Sequence, residues 1–171
     1  DSQGRVWIGT RDGLSYYDEE KDQFKNFFYE KKGKRQQVNG IAEISPEQLL
    51  VSTQEGLIMF DCKESKFVED AFSTAMHKII ASAIYRHGDI IYIGTMEDGL
   101  YSYSVTQKNL EKVTPILDTK RIQAILQQSP TRIWIATEGA GLLLLNPKTK
   151  ELKTYLHSSS DPKSISSNYI R

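Results

Sequence analysis

Few groups in this 171-residue chain could do chemistry, and each has to be judged in its setting. His77, His87 and His157 have no mutual ligand spacing; they read as surface histidines in links and turns rather than metal ligands. Acidic pairs such as Asp18-Glu19 fall where a hairpin should turn, so turn chemistry outweighs general acid–base catalysis there. The stretch "EGAG", residues 138–141, has two glycines but neither the spacing nor the following helix that cradles a phosphate. Cys62 is the single cysteine, which excludes an internal disulfide and a Cys-based zinc site. "EKKGKRQQ", 30–37, concentrates four cations and reads as a solvated link; an acidic glycan or nucleic acid is the lesser reading. No nucleophile is found beside a base and an orienting group, so no catalytic residue, metal or cofactor is expected.

The bulk composition narrows the class further. Hydrophobic residues make up 39% and charged residues 26%, the balance of a globular domain rather than a disordered chain. Lys plus Arg equal Asp plus Glu at 22 each, so no overall basic field exists to attract nucleic acid or anionic lipid. No apolar stretch approaches the length of a membrane span, and direct membrane contact is not expected.

What must position any site is a repeat. "VWIGT" at 6–10 returns as "LVSTQEGL" from 50, "YIGTMEDGL" from 92 and "WIATEGAGL" from 134. The threonines Thr10, Thr53, Thr95 and Thr137 are 43, 42 and 42 residues apart, and Gly13, Gly56, Gly99 and Gly141 follow them. Eleven residues beyond each glycine stands Phe24, Phe67, Leu110 or Leu152. Each unit reads as four short strands; in the last copy these are 121–126, 132–137, 141–146 and 151–156. A four-stranded antiparallel unit of this period has the size of a propeller blade, which needs neighbours to cover its faces. The expected fold is therefore all-β, a β-propeller fragment of about four blades with a 42–43-residue period. A β-sandwich gives no reason for a constant beat.

The repeat also separates scaffold from candidate site. Trp7 and Trp134 invite a sugar-stacking role, but they occupy a mid-strand slot filled elsewhere by Leu50 and Tyr92, so packing between blades is expected of them. The turns between second and third strands vary while the scaffold stays fixed, and such turns rim one face of a propeller. They carry Arg11, Asp12, Gln54, Glu55, Met96, Glu97 and Glu138, with Asp98 and Ala140 beside them; these are the candidate ligand-binding residues.

These residues resemble the two-component regulator propeller repeat, whose pattern is roughly "I..I..D..G.LWIGT..GL..YD......F..Y". Copy one, "DSQGRVWIGTRDGLSYYDEEKDQFKNF", matches all but its first strand. Copy four has Ala136 where the family prefers Gly, copy three has Tyr92 for Trp, and copy two departs most, with Leu50 and Ser52. The tail "SSSDPKSISSNYIR" is similar to the linker into a next first strand. The resemblance implies an extracytoplasmic, periplasmic sensor piece of a membrane-bound hybrid histidine kinase, in a family many of whose members respond to oligosaccharides and control polysaccharide utilisation. A β-propeller glycan lyase or hydrolase, or a protein-interaction scaffold, is the alternative. On this reading the blades run 1–34 (lacking a first strand), 35–76, 77–118 and 119–157, with 158–171 opening the next. The implied partners are the remaining blades of a larger propeller, an oligosaccharide, and a second copy meeting this one through exposed blade faces.

Overall fold

The computed structural model describes residues 1–69, 76, 79–114 and 121–171. It divides into two compact units, Asp1–Ala81 and Ser82–Arg171. In the first unit, β1 (Val6–Thr10), β2 (Gly13–Asp18) and β3 (Gln23–Phe27) form a three-stranded antiparallel meander. A short hairpin of β4 (Glu30–Lys31) and β5 (Lys34–Arg35) follows. Then β6 (Val38–Ser45), β7 (Gln48–Thr53), β8 (Gly56–Asp61) and β9 (Lys66–Val68) form a four-stranded meander. The second unit holds two more: β10 (Ala81–His87), β11 (Ile90–Thr95), β12 (Leu100–Ser104) and β13 (Asn109–Thr114), then β14 (Ile122–Ser129), β15 (Arg132–Thr137), β16 (Leu142–Leu145) and β17 (Leu152–Tyr155). Four blade sheets in sequence order, each joined by hairpins, make this the all-β propeller-fragment fold that the period predicts.

Central strands are buried on both faces, which is why they read as near-continuous apolar runs. Leu49, Leu50 and Val51 of β7 are 1% exposed or less, as are Ile91 and Ile93 of β11 and Ile133 and Ile135 of β15. One core cluster of the first unit joins Leu14 to Val38, Leu49, Val51, Ile58 and Phe60 from the next sheet. In the second unit Tyr92, Leu100 and Val113 pack with Ile122, Ile133, Ile135, Leu143 and Leu145 in the same way.

The basic stretch 30–37 departs from a plain link. Lys32 and Gly33 both take positive φ, 53° and 71°, the combination that closes a two-residue hairpin. Lys31 therefore pairs with Lys34 and Glu30 with Arg35. The segment is still largely solvated, with Lys32 and Lys34 exposed.

Candidate functional site

Each turn between second and third strands is held by the same device. The Thr10 hydroxyl donates to the Gly13 carbonyl at 3.0 Å and accepts from the Asp12 amide at 3.2 Å. Thr53 bonds Gly56 O and Glu55 N at 2.9 and 3.2 Å; Thr95 bonds Gly99 O and Asp98 N, both at 2.8 Å. Thr137 completes the series with Gly141 O at 2.7 Å and Ala140 N at 3.0 Å. The glycines take φ values of 150°, 117°, 77° and 77°, which a side chain would strain. At Gly13 a Cβ would also stand 2.4 Å from the Phe27 carbonyl. Thr53, Thr95 and Thr137 are buried to 2% exposure or less, so the clamp is internal and the residues it spans are pushed outward.

The candidate residues sit on these projections. Arg11, Asp12, Gln54, Glu97 and Glu138 are exposed; Glu55 and Met96 are half-buried. In the first unit Gln54 Nε2 donates to Gln37 Oε1 of the preceding link at 3.3 Å, so turn and link share one end of the sheet. In the second unit Glu138 Oε2 accepts from Gln123 at 3.0 Å, and the Gly139 and Gly141 amides both donate to the Asn168 carbonyl at 3.0 Å. Tyr169, 72% exposed, lies over that turn with its ring 3.5 Å from the place of a Gly139 Cβ. Asp98 is tied to Lys112 at 2.7 Å and to the Tyr101 hydroxyl, and both bonds hold its carboxyl below the usual carboxylate range. Four turn residues of the first unit and three of the second are thus placed on clamped turns, two of them already bonded to neighbouring glutamines.

The indoles are committed elsewhere. Trp7 lies against Tyr16, Phe27 and, from the next sheet, Phe60, with centroids 5.2, 6.2 and 5.5 Å away. Its Nε1 donates to Asp1 Oδ2 at 2.7 Å, and Trp134 Nε1 donates to Gln128 Oε1 at 2.9 Å, the same six-residue span. Trp134 packs on Tyr155 of its own sheet at 5.6 Å.

Among the remaining reactive types, Asp18 is drawn below the ordinary carboxylate range, first by its bond to Lys25, and that lysine lies 3.1 Å away. Burial pushes the Cys62 thiol up, away from the reactive thiolate. His87 ends β10, and His157 contacts the Ile165 carbonyl through Nδ1 at 2.9 Å; His77 lies outside the described residues.

Among the described residues, two concavities of the first unit are lined by none of the candidate residues Arg11, Asp12, Gln54 and Glu55. One, of about 440 Å³, is polar, with Arg5, Tyr16, Asp18 and Lys25 around it. The other, of about 560 Å³, lies between β3 and β9 and is walled by Phe27, Phe28, Tyr29 and Phe67. The repeat directed attention to the turns and missed this groove. The run Phe27-Phe28-Tyr29, the longest aromatic run in the chain, was the signal that could have found it.

No family model and no curated protein matches the chain. Solved structures do. The extracellular domain of a protein described as a hybrid two-component system from B. thetaiotaomicron superposes with a TM-score of 0.79 at 19% identity, covering 98% of this chain and 23% of that one. A second such extracellular domain from B. thetaiotaomicron gives 0.64 at 23% identity over 90% of this chain and 22% of its own. The computationally designed Ika8 protein gives 0.61 at 10% identity, covering 94% of this chain and 48% of that one. The chain thus shares its fold with these extracellular domains and spans less than a quarter of their length. Among the described residues no helix is long and apolar enough to cross a membrane.

Proposed function

We propose that the chain is an extracytoplasmic, periplasmic sensor segment of a membrane-bound hybrid two-component histidine kinase, and that it binds or relays a saccharide signal regulating polysaccharide utilisation. The observation that carries this reading is the fold shared over 98% of the chain with an extracellular domain of that kind of system. The segment itself performs no chemistry; phosphoryl transfer belongs to domains beyond it. A ligand acts here by binding one arrangement of the receptor more tightly than the other, since equal affinity for both would shift nothing.

Partner blades or a second copy pack on its open faces. The side of the first sheet that bears Val6 and Phe24, 52% and 58% exposed, supports that part of the reading. Tyr17 and Phe24 meet on it in a tilted pair, ring centroids 5.2 Å apart, and present an apolar surface. Calorimetry of the purified chain against a panel of oligosaccharides, with product analysis of the same mixtures, tests the whole. Binding heat without turnover is the expected result. Turnover replaces the reading with a lyase or hydrolase, and affinity for proteins alone replaces it with a scaffold.

A further inference from the structure

The β4–β5 hairpin carries charge that the fold does not use. Residues 31–35 set four cations around one glycine, a density no other part of the sequence reaches, in a chain whose net charge is zero. The register puts Lys31 directly opposite Lys34 and Glu30 opposite Arg35, and residues so opposed share a face. Two of the four cations are committed. Lys31 lies 3.6 Å from the Glu69 carboxylate and donates to the Tyr29 hydroxyl at 3.3 Å. Arg35 lies 3.7 Å from Glu30, and its guanidinium is 3.8 Å from the Phe28 ring centroid. Lys32 and Lys34 are exposed and, among the described residues, have no carboxylate within ion-pair distance. Lys34 also faces Lys31, and like charges directly opposite destabilise a strand pair.

The backbone that presents these lysines is anchored. Gln36, 5% exposed, closes the base of the hairpin: its N–H donates to the Tyr29 carbonyl at 2.9 Å and its Nε2 to the Lys34 carbonyl at 3.0 Å. Positive φ at Lys32 and Gly33 sets the tip, and a Cβ on Gly33 would find nothing within 4 Å, so the tip stands clear. An anion meeting it has little backbone to order, and such ordering is a main cost of binding. The hairpin also adjoins a candidate turn. Phe28, which carries the Arg35 guanidinium, has its Cδ1 3.2 Å from the place of a Gly13 Cβ, and Gly13 closes the turn of Arg11 and Asp12. Nucleic acid fits this surface less well than an acidic glycan. Single-strand binders add aromatic faces on which bases stack, and the neighbouring exposed ring, Phe28, is taken up by Arg35.

We infer that the β4–β5 hairpin binds an acidic saccharide, whose carboxylate or sulfate is taken by Lys32 and Lys34 and offsets the repulsion between Lys34 and Lys31. The inference rests on the saccharide reading above and adds to it the charge of the ligand and the residues that meet it. Calorimetric titration with trigalacturonic acid, a chondroitin sulfate tetrasaccharide, maltotriose and a short oligothymidylate tests it. The natural chain is compared with a hairpin variant, Lys32→Gln with Lys34→Gln, and with a control of equal charge, Lys148→Gln with Lys163→Gln. All four lysines are exposed, so both variants retain the fold, which a thermal melt verifies. The expected result is binding of at least one acidic glycan at about 20 mM sodium chloride, weakened by raising the salt to about 200 mM. The hairpin variant weakens it about tenfold or more and the control leaves it unchanged. Binding by trigalacturonic acid shows that a carboxylate suffices; binding by the chondroitin fragment alone assigns the sulfate. Acidic-glycan binding that the hairpin variant leaves unchanged, or that the control weakens equally, overturns the inference. So does tighter binding of the oligothymidylate. Binding of maltotriose alone overturns the hairpin site while the saccharide reading stands. No binding of any saccharide at about 10 mM overturns both the hairpin site and direct saccharide recognition by this segment.

Discussion

Ile122 occupies the space that a side chain on Gly94 would need. A Cβ built on Gly94 stands 2.5 Å from Ile122 Cγ2 and 2.7 Å from its Cβ. The same contact recurs in the first unit, where a Cβ on Gly9 would lie 2.7 Å from Val38 Cγ1. In both places the residue before the clamp threonine is small because the first residue of the next sheet's inner strand lies over it. Ser82 reinforces the second unit's junction, with its hydroxyl donating to the Ile122 carbonyl at 2.7 Å.

Gly94→Ala should therefore destabilise the chain by about 1–3 kcal/mol, the usual cost of overpacking a tight contact. Gly9→Ala should act in the same direction and less strongly, because the Val38 Cβ lies 3.3 Å from the added methyl where the Ile122 Cβ lies 2.7 Å away. Urea denaturation of the two variants measures both; an unchanged midpoint for Gly94→Ala would show that β14 yields without cost.

The threonine clamp predicts a graded series. Thr137→Val removes a buried hydroxyl and leaves the Ala140 amide and the Gly141 carbonyl without their partner. A loss of about 1–3 kcal/mol is expected. Thr10 makes the same two bonds in an exposed turn, where water replaces the hydroxyl, so Thr10→Val should cost a few tenths of that. Equal losses at the two positions would contradict this account.

Acid sensitivity follows from three carboxylates held below their ordinary range. Asp98 is lowered by Lys112 and Tyr101, Asp89 by the Ser104 and Thr106 hydroxyls, and Asp18 by Lys25. A lowered native pKa means that the unfolded chain binds protons first. Their contribution is present above the unfolded carboxylate pKa and is lost as pH falls through the native values. Stability should be flat through neutrality and decline from about pH 4 downward. Asp89→Asn, tested by thermal melts across that range, should flatten part of the decline and leave the rest.

The two tryptophans should differ although they share a repeat slot. Trp7→Ala removes contacts with Phe60, Phe27 and Tyr16 and leaves Asp1 without its indole donor, for a loss of about 2–4 kcal/mol. Trp134 has Tyr155 as its ring partner and lies outside the buried cluster of its unit, so Trp134→Ala should cost about 1–2 kcal/mol. Chemical denaturation followed by circular dichroism distinguishes the two without relying on their fluorescence.

Much of this molecule is written into short-range pattern. The 42–43-residue beat, the Thr and Gly at each turn and the doubly buried central strands are local signals, and β7, β11 and β15 lie where they indicate. What escaped the sequence depends on neighbours brought together by folding. The ties of Asp98 to Lys112 and of Glu138 to Gln123 cross between strands, and no spacing rule along one strand reveals them. The aromatic groove escaped for a related reason: Tyr29 and Phe67 are 38 residues apart and meet, at 5.4 Å, only because β3 and β9 are outer strands of neighbouring sheets. The β4–β5 hairpin was hidden by its charges, since a Lys-Gly turn among cations looks like solvated coil until both positive φ values are seen.

The clamped turns carry one more consequence. Thr10 and Thr53 close over two intervening residues, whereas Thr95 and Thr137 close over three, and the hydroxyl makes the same pair of bonds in every case. The lettering and even the length of each turn are therefore decoupled from the sheet beneath it. Such a turn behaves as an exchangeable cassette in a fixed socket: Met96-Glu97-Asp98 could be seated between Thr53 and Gly56, and the frame would register only the threonine and the glycine.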